Sequence, residues 1–212
     1  QGLSVAAATQ ARDEAARIAD ALLFSRATGH DDPFVAVHIV AAGESLNAIA
    51  RKYQHTEELL ASINKLVDPN RIMVGARLKV IRGPFYAFID KTAHRMDIFV
   101  GDVLVRSFRV GLGTNGGTPT GTWVVQDKLR NPEWTDPNTS RHYLADDPDN
   151  PIGERWIGLN GVEGECVGRL GFGIHGTVDP ASIGENLSMG CVRLLPQDVA
   201  FVANLLVCNN SR

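Results

Sequence analysis

The chain has 212 residues, 44% hydrophobic and 21% charged, which suits a globular protein with one full domain and a small second one. Its net charge of -3 argues against a basic nucleic-acid surface, so no nucleic acid is expected as a partner. No run of about 18 apolar residues occurs, so the chain is not expected to span a membrane.

The first residues, Gln1-Gly2-Leu3-Ser4, lack the charged and apolar regions of a signal peptide, so location must follow from function. From Ser4 to Arg26 the spacing of Ala11, Ala15, Ile18, Leu22 and Leu23 predicts a helix, with Asp13 and Glu14 on the favourable side of its dipole. The stretch Gly29-His30-Asp31-Asp32-Pro33 should end it. Its plain amphipathic pattern reads as a packing arm without chemistry, residues 1–34. A compact second unit is expected over residues 35–83. It opens with a strand at Val37-His38-Ile39-Val40. A helix follows with Leu46, Ile49, Ala50 and Tyr53 inward, and a second is capped by Thr56 and carries Leu59, Leu60 and Ile63. A closing strand at Leu78-Lys79-Val80-Ile81 completes a βααβ order.

From Pro84 the pattern turns to strands, at Phe85 to Asp90, Met96 to Val100 and Val103 to Val110, the last two joined by a Gly101-Asp102 hairpin. Further strands are expected at Thr122–Val125, Arg155–Leu159, Phe172–His175 and Val192–Leu194. Between about Asp127 and Gly153 lies a polar stretch rich in Pro, Asn and Asp, long enough to read as a flap. Pro196 suits the first turn of a final helix with Val199, Val202, Leu205 and Leu206. Residues 84–212 are therefore expected to form a mainly β sandwich or small barrel with a flanking helix, and the whole chain an α+β protein.

The chemistry points to Gly173-Ile174-His175-Gly176-Thr177 and Ser188-Met189-Gly190-Cys191-Val192-Arg193. A thiol becomes a nucleophile when a base or a positive field yields the thiolate. His175, at the end of a predicted strand, is the natural base for Cys191. The small-residue turn Ser188-Met189-Gly190 leaves backbone N–H groups free to point at a developing oxyanion. Gly190 also keeps a side chain out of the substrate's space. Of the three cysteines, Cys166, Cys191 and Cys208, none sits in a CxxC, so no metal site is expected, and no cofactor is needed because nucleophile, base and oxyanion donors all come from the chain. Whether Cys166 and Cys208 pair stays open.

Two resemblances follow. His38-Ile39-Val40, Gly43-Glu44-Ser45-Leu46, Ile49-Ala50, Ile63-Asn64-Lys65-Leu66 and Val74-Gly75 make residues 35–83 resemble a LysM module. That resemblance implies a groove for N-acetylglucosamine-containing glycan at Gly43, Glu44, Ser45 and Leu46 and along Asn64 to Ile72. The alternative is a spacer that binds no sugar. The second half resembles the YkuD-type catalytic domain of L,D-transpeptidases. It carries His175-Gly176-Thr177, Ser188-x-Gly190-Cys191-x-Arg193, Thr118-Pro119-Thr120-Gly121-Thr122 and Asn150-Pro151-Ile152-Gly153 with Arg155-Trp156. Many family members place His where Met189 stands, so here the base can only be His175.

The resemblance implies a Cys191 thioester on peptidoglycan stem peptides, release of D-alanine, and a cross-link between third-position diamino acids, in an exported protein of the periplasm or cell wall. Backbone N–H groups of Cys191, Gly190 and Met189 would hold the oxyanion, and Gly176 would orient the imidazole through its carbonyl. Ser188 would hold the turn. Arg193 would steady the site or a substrate carboxylate. Trp156, Tyr143 and Thr177 are candidates for the donor groove, although aromatics in a β-domain are usually core. Two alternatives remain: an L,D-carboxypeptidase that passes the same acyl group to water, and an inert wall-binding protein.

Overall fold

The computed structural model describes residues 4–28 and 32–212. The expectations for Gln1–Leu3 and for a helix break at Gly29–Asp31 lie outside the described residues. The chain divides into two compact units. One holds residues 1–88, 97–107 and 204–207; the other holds 89–96, 108–203 and 208–212.

In the first unit, helix α1 spans Val5–Leu22 and starts at Ser4, whose hydroxyl accepts the N–H of Ala7 at 3.3 Å. Its inward stripe differs from the expected one. Ala19 and Leu23 are buried, whereas Ile18 and Leu22 are 46% and 50% exposed. Polar anchors explain the rotation. Arg12 lies 3.9 Å from Asp97, and Asp20 pairs with Arg106. Lys79 Nζ donates to the carbonyls of Leu22, Ser25 and Ala27 at 2.5, 2.8 and 2.6 Å, so a buried cation takes the acceptors that the helix end leaves unfilled. Burial lowers the Lys79 pKa.

Strand β1 (Val35–Ile39) pairs antiparallel with β2 (Arg77–Ile81), from Val35 opposite Ile81 to Ile39 opposite Arg77. Between them run α2 (Leu46–Lys52) and α3 (Glu57–Asn64). Ser45 and Thr56 cap these helices by accepting the N–H groups of Ala48 and Leu59. Leu46, Ile49, Leu60, Ile63, Val80 and Ile81 form the core of this βααβ unit, each contributing about 1.5–3 kcal/mol by burial. Thr56 also donates to the carbonyl of Asn204.

A three-stranded sheet of order β3-β4-β5 follows, with β3 Phe85–Asp90, β4 Arg95–Val100 and β5 Val103–Arg109. Gly101, at φ +56°, takes the left-handed turn between the last two strands. Short strand β6 (Leu112–Gly113) comes next, then β7 (Gly121–Arg130).

In the second unit, β7 enters a four-stranded sheet with β10 (Arg155–Gly164), β11 (Gly173–His175) and β13 (Val192–Arg193), in the order β13-β11-β10-β7. Strand β6 pairs parallel with β12 (Asn186–Ser188). The expected featureless flap is partly strand. Strand β7 runs on to Arg130, and β8 (Trp134–Thr135) pairs antiparallel with β9 (His142–Tyr143). Helix α4 spans Pro196–Leu205, with Val199, Val202 and Leu205 buried. The protein is thus α+β, mainly sheet with a few helices. Among the described residues, no helix is long and apolar enough to cross a membrane.

Candidate active site

Strand register sets the site. Parallel strands β11 and β13 place Ile174 opposite Val192 and His175 opposite Arg193. Side chains alternate along a strand. Ile174 and Val192 go into the core at 2% and 3% exposure, so His175 and Arg193 project to the opposite face. Cys191, the residue before β13, has its sulfur beside Gly173, whose N–H faces it. Trp156 lies directly opposite His175 on β10, with ring centroids 6.0 Å apart and planes 21° from parallel. A Cβ on Gly173 would stand 2.6 Å from the Trp156 ring, so glycine there lets the indole lie across β11.

His175 is 5% exposed, and its Nδ1 lies 2.5 Å from the carbonyl oxygen of Gly176. A carbonyl can only accept, so Nδ1 carries the proton and Nε2 keeps its lone pair. Burial lowers the His175 pKa to about 4; the Gly176 carbonyl opposes the shift and the charge of Arg193 adds to it. Burial raises the Cys191 pKa, offset in part by the Gly173 N–H and by Arg193. Both shifts favour the uncharged forms. At neutral pH the resting site therefore holds a thiol and a neutral imidazole, and the alternative of a preformed ion pair is disfavoured. The thiol sulfur lies 3.5 Å from the Gly171 carbonyl.

The turn before Cys191 is held from within and from a neighbouring loop. Ser188 Oγ donates to the Cys191 carbonyl at 2.6 Å and accepts the Gly190 N–H at 3.0 Å. Thr118 Oγ1 donates to the Gly190 carbonyl at 2.8 Å and accepts the Gly113 N–H at 2.9 Å. Gly190 sits at φ +143°, with Phe172 and the Gly117 carbonyl where a Cβ would be. Of the three N–H groups expected to face an oxyanion, that of Gly190 is already taken by Ser188. Among the described residues, those of Cys191 and Met189 have no backbone acceptor. Met189 is 57% exposed, and its sulfur accepts the side-chain N–H of Asn138 at 3.0 Å. Arg193 has its Nε buried without a partner.

Other candidates fall elsewhere. Thr177 is 3% exposed and spends its hydroxyl on the Asp179 backbone, so it builds a turn and presents nothing to a groove. Tyr143 is closed in by Trp134, 5.7 Å away, and by Arg141, 4.5 Å over its ring. Leu46 and Asn64 are corrected too. Leu46 is core at 2% exposure, and the Asn64 amide is used up on Leu60 and both backbone groups of Lys79. Ser45 is engaged as a helix cap, and Glu44 bonds His38 at 2.8 Å and the Ala41 N–H. Gly43 opens onto free space and Ile72 is half-buried beside Met73 and Val74, which are 77% and 69% exposed. The anchoring roles of Thr118 and Phe172 escaped the sequence, because their partners lie far along the chain. All three cysteines are free thiols. Cys166 is wholly buried with its sulfur on the carbonyls of Glu163 and Thr122.

The family model for the YkuD L,D-transpeptidase catalytic domain matches residues 84–209, and that for the LysM domain matches residues 38–80. A putative L,D-transpeptidase YkuD from Bacillus licheniformis is 25% identical over 174 residues, spanning 79% of this chain and 91% of that protein. A probable L,D-transpeptidase YcfS from Escherichia coli is 31% identical over 183 residues, spanning 74% of this chain and 54% of its own length. Among solved structures, an L,D-transpeptidase from Mycobacterium smegmatis aligns with a TM-score of 0.42 and 17% identity, over 66% of this chain and 64% of that one.

Proposed function

The chain belongs to the YkuD family of L,D-transpeptidases, and from that premise we propose that it cross-links peptidoglycan stem peptides through a thioester on Cys191. The observation that carries this reading is the shared face of β11 and β13. There His175, with its proton held on Nδ1, stands two residues along β11 from Gly173, whose N–H faces the Cys191 sulfur.

In the proposed reaction His175 Nε2 takes the Cys191 proton as the sulfur attacks the carbonyl between the third stem residue and D-alanine. The oxyanion is received by the N–H groups of Cys191 and Met189, with the Arg193 charge nearby. The carbon–nitrogen bond breaks, the imidazolium returns its proton to the departing amine, and D-alanine leaves. The side-chain amine of a second stem then attacks the thioester, giving up its proton to His175, and the thiolate leaves and is reprotonated. Gly176 orients the imidazole, Ser188 holds the turn, and Trp156 flanks the donor. Residues 35–83, as a LysM module, hold glycan in the proposed scheme through the region of Gly43 and Ile72. The exposed apolar side chains of Met73 and Val74 support this. Such tethering raises the local concentration of stems. A protein acting this way works outside the cytoplasmic membrane.

The test is incubation of the protein and of Cys191→Ala with a disaccharide tetrapeptide, read by mass spectrometry. A dimer lighter by one D-alanine, absent with the variant, is expected. Free tripeptide alone would mean hydrolysis. Absence of both, with no carbapenem adduct on Cys191, would mean an inert wall-binding protein.

A further inference from the structure

Strand β7 brings a carboxylate to the catalytic face that no step above uses. In the sheet register Asp127 lies opposite Gly158, and Gly158 opposite Gly173. Paired residues share a face, so Asp127, Gly158 and Gly173 form one row across β7, β10 and β11, and the row ends at Cys191, whose sulfur faces the Gly173 N–H. The two middle positions have no side chain. Asp127 uses that space: its two carboxylate oxygens lie 2.6 and 2.7 Å from where a Gly158 Cβ would be, so the charge leans off β7 and rests over β10. Trp156, two residues before Gly158 on the same face, spreads its ring over Gly173 and separates the carboxylate from the thiol.

This carboxylate is uncompensated. Asp127 Oδ1 is buried with no hydrogen-bond partner, and among the described residues no cation pairs with the side chain. The adjacent Lys128 is turned to the Ala203 carbonyl. A half-buried carboxylate without a partner is costly, and a cation brought by a ligand would relieve the cost.

Spacing selects which cation. Strands lie about 4.8 Å apart, so a group over β10 stands about 10 Å from the thiol-bearing strand. An attacking acceptor amine must come within about 3.5 Å of the thioester carbon, which rules it out as the group held here. The donor's third residue differs. Its carbonyl is on Cys191, and its side chain of single bonds of about 1.5 Å reaches about 7 Å further, across Trp156 towards Asp127. Resting on the transpeptidase reading, we propose that Asp127 is a specificity-determining residue that binds the side-chain ammonium of the donor's third-position diamino acid, so that donors with that amine free are preferred.

The experiment measures D-alanine release as a function of donor concentration, with a fixed saturating tripeptide stem carrying a free side-chain amine as common acceptor and two disaccharide tetrapeptides as donors: one with the third-residue side-chain amine free, the other with it acetylated. Wild type should favour the free-amine donor by about tenfold in kcat/KM, mainly through KM. Asp127→Asn should bring the two donors to within about twofold. The ratio is taken within one protein, so a smaller folded fraction does not move it, and Asp127→Ser provides a second variant. A wild-type ratio near one, or a ratio unchanged in both variants, overturns the proposal while leaving the transpeptidase reading in place. Absence of any Cys191-dependent D-alanine release from either donor overturns that reading, and this proposal with it.

Discussion

Lowering the pH from 7 to 4 should destabilise the protein through His175, by an amount the site's burial sets. The folded pKa is about 4 against an ordinary value of 6.5. The unfolded chain therefore takes up a proton that the folded chain refuses. Stability from this group is full above pH 6.5 and is lost as pH falls towards 4. Over that interval the loss comes to about 3 kcal/mol, a large share of a typical stability of about 5–15 kcal/mol. The assay is urea unfolding followed by tryptophan fluorescence, in wild type and in His175→Gln, which cannot titrate. Trp123, Trp134 and Trp156 all lie in the same compact unit as His175, so the signal reports on the right part of the chain. His55, whose pKa burial also lowers, lies in the other unit and is unchanged by the substitution. Wild type should lose about 3 kcal/mol more than His175→Gln between pH 7 and pH 4. Equal losses would show that the imidazole is not held neutral by burial, and the account of the resting site would fall with it.

Two further substitutions probe the scaffold. Gly190→Ala must place a methyl 2.7 Å from Phe172 at φ +143°, and should cost about 2–4 kcal/mol in chemical denaturation; a cost under about 0.5 kcal/mol would mean that the turn is slack. Lys79→Met removes the cation that collects three carbonyls at the end of α1, so trypsin cleavage at Arg17 and Arg26 should speed up by about tenfold; unchanged cleavage would show that the arm is held by other contacts.

What the sequence disclosed and what it hid separate along physical lines. Local signals were legible. Thr56 reads as a cap because its hydroxyl bonds an N–H three residues on, and β3 has the bounds its pattern predicts. Strand β7 was seen only in part. A register shift beside Gly158 leaves Gln126 as an extra residue and breaks the alternation, and the polar Asp127–Arg130 that follow look like loop until β10 is set beside them. The helical stripe of α1 was misplaced for a similar reason, since Arg12, Asp20 and Lys79 fix its rotation through partners distant in sequence. Leu46 and Asn64 show a different limit. Both belong to a recognisable module, yet one fills the core and the other ties a helix to a strand, so their place in the pattern reflects folding and not contact with glycan.

The neutrality of the resting pair bears on how the proposed reaction can run. Burial opposes both the thiolate and the imidazolium, so a preformed ion pair would carry two desolvated charges. Arg193 acts on the two groups in opposite senses: its charge favours a thiolate and disfavours an imidazolium. The same charge favours any anion that forms beside Cys191, including a tetrahedral oxyanion. Proton transfer to His175 then becomes favourable only as negative charge appears on the substrate, which couples it to attack on the carbonyl. The acyl-enzyme carries neither charge, so the electrostatic cost is confined to the two transition states, where the N–H groups of Cys191 and Met189 can offset it.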